Sequence, residues 1–237
     1  MRTLLLGTLL LTSLGAPAWG AVDLENEKSD GYELTLRAPE AALAIEPLKA
    51  ELLRRFDERT KNLKDLVREA CKTDEASHSP YLLSMNWRVT YENPKVLSLS
   101  GKVYSEDCKH AYDDFETIVW DKQALRETPL TDIFLKDKQA DALRDIALYA
   151  SRAFLKSRRG GDLSDSYYAV EDHISAKPLR LGHYALTYAK GEELANGIVL
   201  LWGAGEAWPR VVDDVRISVP AAVFFKYLAP EWTKQFK

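Results

Sequence analysis

The chain has 237 residues, 46% of them hydrophobic, with 32 basic residues against 36 acidic ones and two cysteines. A net charge of -4 argues against nucleic acid as the default partner and permits a basic one. The length suits one generous domain, and no run reaches the about 20 apolar residues of a membrane span.

Met1-Arg2-Thr3 followed by Leu4 to Leu14 joins one positive charge to a short apolar run, and Gly15-Ala16-Pro17-Ala18-Trp19-Gly20-Ala21 adds small residues. This is the pattern of a secretory signal peptide over 1–20, cleaved after Gly20 or after Ala18. It implies a periplasmic or secreted protein, with a single mature domain over 21–237. No cysteine precedes Cys71, so a lipid-modified N-terminal cysteine is excluded. Loss of Arg2 with the leader makes the mature chain one charge more acidic.

Asp23 to Asp30 is acidic and polar and reads as a frayed entry. Tyr32-Glu33-Leu34-Thr35-Leu36 alternates as a strand that stops before Pro39. From Pro47 onward, Leu48, Leu52, Leu53, Phe56, Leu63, Leu66, Val67 and Ala70 recur at helical spacing, and Pro47 suits the first turn. Glu51 with Arg55 and Asp57 with Lys61 are favourable pairs along that helix, whose charged face reads as solvated surface.

Ser79 to Trp120 carries the strongest strand signal. Tyr81, Leu83, Met85, Trp87, Val89 and Tyr91 alternate with polar residues, Glu92-Asn93-Pro94 turns the chain, and Leu97, Leu99 and Val103 alternate with Ser98, Ser100 and Lys102. Tyr112 to Trp120 makes a third strand, completing an antiparallel meander with one apolar face. Asp121 to Ala124 is a turn and Leu130 to Phe134 a short apolar stop. Lys136 to Ser157 is a second helix, with Leu143, Ile146, Ala147, Ala150 and Phe154 on one face, ended by Gly160-Gly161. Leu179 to Ala189, Gly197 to Trp202 and Val211 to Val219 read as further strands, and Pro220 opens a short helix. The expected fold class is α+β: an antiparallel sheet of about six to eight strands packed by two long helices.

In an exported chain, Cys71 and Cys108 read first as a disulfide that staples the end of the first helix to the loop after the second meander strand. Cys71, His78, Cys108 and His110 are alternatively four zinc ligands, but their spacing matches no compact finger pattern. Free thiols are the third alternative. His110 lies among Asp107, Asp113 and Asp114, so His110, Asp113 and Asp114 are the candidates for acid-base chemistry. A surface loop is polar in any case. Gly203-Ala204-Gly205 opens like a dinucleotide fingerprint but lacks its third glycine, so it predicts a turn. Trp202 and Trp208 flank it, and aromatics in such a place stack on sugars or grip protein partners when they are not core. No nucleophile elbow, zinc-protease motif or phosphate loop occurs, so enzymatic activity is unsupported; no cofactor and no metal is expected.

The order of elements resembles a bacterial family of domains of unknown function, found as the extracellular part of the lysozyme-binding anti-sigma factor RsiV and as the accessory region of the deacetylase PdaC. Val96 to Tyr104, Phe115 to Trp120, Pro129-Leu130-Thr131-Asp132-Ile133-Phe134 and Val215 to Pro220 followed by Phe225-Lys226-Tyr227-Leu228 carry the likeness. Where the family has Gly-Gly-Ala-His, this chain has Cys108-Lys109-His110-Ala111. The resemblance implies a non-catalytic envelope protein that recognises a cell-wall glycan or a lysozyme-like protein. Asp107, His110, Tyr112, Trp202 and Trp208 are then the candidate binding residues. A metal-dependent or acid-base envelope hydrolase and a structural module of an envelope assembly are the alternatives.

The disulfide is directly measurable. Intact-mass analysis after alkylation without reduction should find neither Cys71 nor Cys108 labelled, and labelling of both would refute the bridge.

Overall fold

The computed structural model describes residues 21–28, 32–70, 81–106, 111–158, 183–188, 192–203 and 215–237, and the side chains of 62–70 and 155–158 lie outside the description. Six strands run side by side in chain order: β1 (Ala21–Lys28), β2 (Tyr32–Pro39), β3 (Tyr81–Glu92), β4 (Val96–Glu106), β5 (Ala111–Asp121) and β6 (Arg126–Glu127). A smaller sheet orders β7 (Tyr184–Thr187), β8 (Gly197–Trp202) and β9 (Val215–Pro220). Strands dominate this mixed α/β architecture.

The large sheet is not wholly antiparallel, as the alternation led one to expect, because β2 and β3 pair in parallel. Parallel neighbours need a long crossover. The chain supplies it as α1 (Glu40–Leu43) and α2 (Glu46–Ala70). Leu48, Leu52 and Phe56 of α2 are buried against Leu34, Leu36, Leu83, Met85, Trp87, Leu99 and Ile118, each such side chain contributing about 1.5–3 kcal/mol.

Nor do two long helices pack one sheet. The second long helix, α3 (Gln139–Arg158), belongs to a separate core in which Ala142, Ile146, Ala150 and Phe154 meet Ile198, Leu200, Ile217 and Val219 of the small sheet. The division follows from the apolar faces: Ile198 is registered with Val219 and Leu200 with Ile217, so one face of β8 and β9 is continuously apolar and needs its own cover.

The segment read as a frayed entry is strand β1. It pairs antiparallel with β2 and is held by Arg37 Nε, 2.5 Å from Asp23 Oδ1, and by Lys28 Nζ, 3.2 Å from Glu33 Oε2. Charged edge residues gain partners here that no periodicity announces.

The meander β3-β4-β5 is antiparallel as its alternation requires. Its polar face, however, is also covered. Ser98 is fully buried, and Ser100 and Thr117 are 2% exposed. Ser98 Oγ accepts hydrogen bonds from Thr90 Oγ1 and from the backbone N–H of Leu186 on β7, both at 2.9 Å, tying the small sheet across the large one. Tyr184, also on β7, donates its hydroxyl to the Thr128 carbonyl at 2.6 Å.

The C-terminal strand is followed by two 3-10 turns, Ala221–Val223 and Phe225–Tyr227, and by α4 (Pro230–Thr233). Phe224 sits edge-on to Phe134 and Phe236, with ring centres at 5.9 and 5.3 Å. Asn93 binds this end to the meander turn. Its Oδ1 accepts from the N–H groups of Lys95 and Val96, and its Nδ2 donates to Gln235 Oε1 at 2.6 Å.

Two glycines mark close approaches. A Cβ on Gly101 would fall 2.8 Å from the Trp87 indole, which lies across the sheet at that point. On Gly197 it would fall 2.3 Å from the Val219 carbonyl oxygen, and backbone in a ladder cannot step aside. Gly197→Ala should therefore cost about 1–3 kcal/mol in chemical denaturation. Unchanged stability would show that β8 and β9 can separate there.

Candidate functional site

The residues proposed from sequence fall on two stretches, and the structure brings the described parts of both together. Asp107, His110, Trp208, Cys71 and Cys108 lie outside the described residues, so neither the disulfide nor the histidine site has a geometry here. Tyr112, Asp113 and Asp114 open β5, and Trp202 ends β8. Gly203, the next residue, packs directly on β5: a Cβ there would come within 2.8 Å of the Asp113 carbonyl and the Asp114 Cα. A side chain at 203 would hold the two stretches apart, so this glycine has a packing reason as well as a turn reason.

Tyr112 is exposed at this junction. Trp202 is only 7% exposed; it is registered with Val215 and belongs to the small-sheet core, offering little surface to a ligand. Asp113 Oδ1 lies 3.0 Å from Lys102 Nζ in an ion-pair contact without hydrogen-bond geometry. Asp114 Oδ2 meets Arg59 Nη2 at 2.8 Å, and Asp114 Oδ1 accepts from the Phe115 N–H. Both carboxylates are thus engaged with cations. Among the described residues, no group of three or more histidine, cysteine or carboxylate side chains is placed to hold a metal ion.

Asp114 leads into a larger ionic cluster. Arg55 and Arg59 are one helical turn apart on α2, and Asp114 and Glu116 are two apart on β5, so each pair shares a face. Arg59 Nε meets Glu116 Oε1 at 3.0 Å. Arg55 reaches Glu51 at 2.8 Å, Glu127 on β6 at 2.6 Å and Glu116 at 3.5 Å, and also donates to the Thr117 carbonyl. Arg54 meets Glu51 at 2.6 Å and also pairs with Glu58. An open cleft of about 340 Å³ runs between these groups, lined by Arg54, Arg55, Glu58, Arg59 and Glu116.

The electrostatics of this cluster are those of mutual charge pairing between α2, β5 and β6. Hydrogen bonding from Arg54, reinforced by Arg55, overcomes partial burial and holds Glu51 at about 2, from an ordinary 4.5. Burial alone would lower the pKa of Arg55, but the charge of Glu127 and the carboxylates of Glu51 and Glu116 raise it. Glu127 moves up because burial outweighs its Arg55 partner. The sequence reading assigned this helix face to solvent. The signal it overlooked was the match between a basic pair at helical spacing and an acidic pair at strand spacing.

Comparison with known proteins gives the fold a context. No protein-family model matches the chain, and no curated protein matches it. Solved structures do. A DUF3298 family protein from Pseudomonas aeruginosa is similar over 90% of this chain and 93% of its own, with a TM-score of 0.60 at 12% identity. A DUF3298 family member from Bacteroides fragilis is similar over 89% and 92%, with a TM-score of 0.53 at 15% identity. The chain shares the fold of these uncharacterised domains.

Glu51 makes this charge pairing testable by pH. A depressed carboxylate pKa contributes stability that is complete above the unfolded value of 4.5 and is lost as pH falls towards its folded value of about 2. The melting temperature of the wild type should fall across that window, and Glu51→Gln should flatten the fall. Parallel curves would show that Glu51 does not couple to folding.

Proposed function

We propose that this chain is an exported, non-catalytic recognition domain that binds a ligand of the cell envelope, a lysozyme-like protein or a cell-wall glycan. The observation that supports it best is the junction at Gly203, where the start of β5 and the end of β8 form one surface from the two stretches whose composition suggested binding. The engagement of Asp113 and Asp114 with Lys102 and Arg59 favours binding over acid-base hydrolysis, because both carboxylates are tied into ion pairs of the fold.

The likeness to the RsiV and PdaC domains, together with the DUF3298 fold, makes lysozyme the first ligand to test. A chain with 36 acidic and 32 basic residues suits a basic partner. No helix among the described residues is long and apolar enough to cross a membrane, in keeping with a domain that works beside its ligand in an aqueous compartment.

Calorimetric titration of the mature chain with lysozyme, repeated at high salt, tests the proposal. Saturable binding that persists at high salt is expected, since salt removes non-specific attraction between opposite charges. Absence of binding, or binding abolished by salt, would eliminate lysozyme, and the same result with cell-wall glycan fragments would overturn the recognition reading.

A further inference from the structure

Eight large hydrophobic side chains are exposed among the described residues, and four of them, Leu135, Leu148, Tyr149 and Phe225, gather about one point of the surface. Each of the four is between 37% and 46% exposed. Exposed apolar side chains scattered singly need no explanation, whereas a group of them marks a contact surface.

Asp145 on α3 is the point they share. Its Oδ2 accepts a hydrogen bond from the Tyr227 hydroxyl at 2.6 Å and lies 3.3 Å from Lys226 Nζ, which docks the Phe225–Tyr227 turn on the helix. Leu135 joins the same turn by donating its N–H to the Tyr227 carbonyl at 2.9 Å. Leu148 and Tyr149 follow Asp145 by three and four residues, so they are its neighbours on the helix surface. The other side of α3 is sunk in the core through Ala142, Ile146 and Ala150, and Phe224, beside Phe225, is fully buried. Helix and turn are thus held from below while these four side chains face outward.

The charges around them reverse the balance of the chain. Residues 135–152 and 225–227 hold five basic side chains, Lys136, Lys138, Arg144, Arg152 and Lys226, against three acidic ones, whereas the whole chain has 32 against 36. Arg144 and Arg152 stand four residues before and after Leu148, so two cations bracket that side chain along the helix. The acidic residues are engaged locally: Asp145 holds the turn, Asp141 lies 3.2 Å from Arg144, and Asp137 lies 3.7 Å from Lys138.

Apolar side chains within a basic surround match an anionic lipid surface. Leucine and aromatic rings enter the boundary between headgroups and acyl chains, and lysine and arginine lay their stems along it while their charges meet the lipid phosphates. The core of a protein interface is a poorer match, because lysine, which supplies three of the five cations, is depleted there.

We propose that the outer flank of α3 and the turn at Phe225 form a surface that seats this domain on an anionic membrane, with Leu148, Tyr149 and Phe225 entering the headgroup boundary. The contact lies on the bilayer rather than across it, and it is independent of the Gly203 junction and of any lysozyme binding.

Co-sedimentation of the mature chain with vesicles of phosphatidylglycerol and phosphatidylcholine, and separately with vesicles of phosphatidylcholine alone, tests it. The chain should bind the anionic vesicles and leave the neutral ones. Leu148→Ser should weaken binding about tenfold, through lost apolar burial, and Arg152→Gln about fivefold, through loss of one cation near the lipid. Val22→Ser, which alters an exposed apolar residue on the edge strand β1, should bind as the wild type does. Absence of binding, equal binding to both kinds of vesicle, or an equal loss in Val22→Ser would overturn the lipid surface. Self-association abolished by Leu148→Ser, without vesicle binding, would overturn it in favour of a second copy of the chain.

Discussion

Strand β5 is covered on both faces, and the rest of the molecule is arranged to satisfy that condition. Asp114, Glu116, Ile118 and Trp120 face α2, while Phe115, Thr117 and Val119 face the smaller sheet. A strand buried on both sides needs two separate covers and a way to keep polar groups satisfied beneath each. One cover is apolar where α2 buries Leu48, Leu52 and Phe56, and ionic where Arg55 and Arg59 cross to Glu116 and Asp114. The other rests on small hydroxyl side chains, of which Ser98 binds the backbone of β7 directly. The small sheet can approach because those residues are short, and it is held in register because one of them accepts a backbone hydrogen bond.

Local periodicity made the individual elements legible, and its limits account for what was misplaced. Tyr81 to Tyr91 alternates so regularly that the strand and its inward face could be read directly, and Trp87 is buried as expected. Gly197 to Trp202 was bounded correctly because turn residues close it on either side. Alternation records which residues differ in polarity, however, not whether the polar side meets water. Ser98 and Ser100 therefore looked like a solvated face, although serine is small enough to be buried once a partner is supplied. The parallel pairing of β2 and β3 had a signal available in the order strand, helix, strand, which the reading of the whole sheet as antiparallel passed over. β1 escaped because its stability lies in cross-strand charge pairs such as Asp23 with Arg37.

The candidate site was legible only in part, for a related reason. Asp113, Asp114 and Trp202 were singled out by composition. Their juxtaposition through Gly203 depends on how two sheets meet, which is a tertiary property with no local spacing. Trp202 shows the other side of this: an aromatic beside a glycine turn fits a binding residue and a core residue alike, and only the fold shows that it is 7% exposed within the small-sheet core.

The arginines of α2 show how charged side chains join elements of the fold. Arg55 is surrounded by three carboxylates from α2, β5 and β6, so its charge is consumed in joining those elements, and its removal would take from Glu127 the cation it meets across α2 and β6. Arg88 and Arg216 meet no carboxylate among the described residues, and Arg216 lies over the Phe115 ring instead. Both carry their charge outward on exposed side chains, and Arg216 is also positioned by a buried ring. The Arg55 cluster has used its donors within the fold.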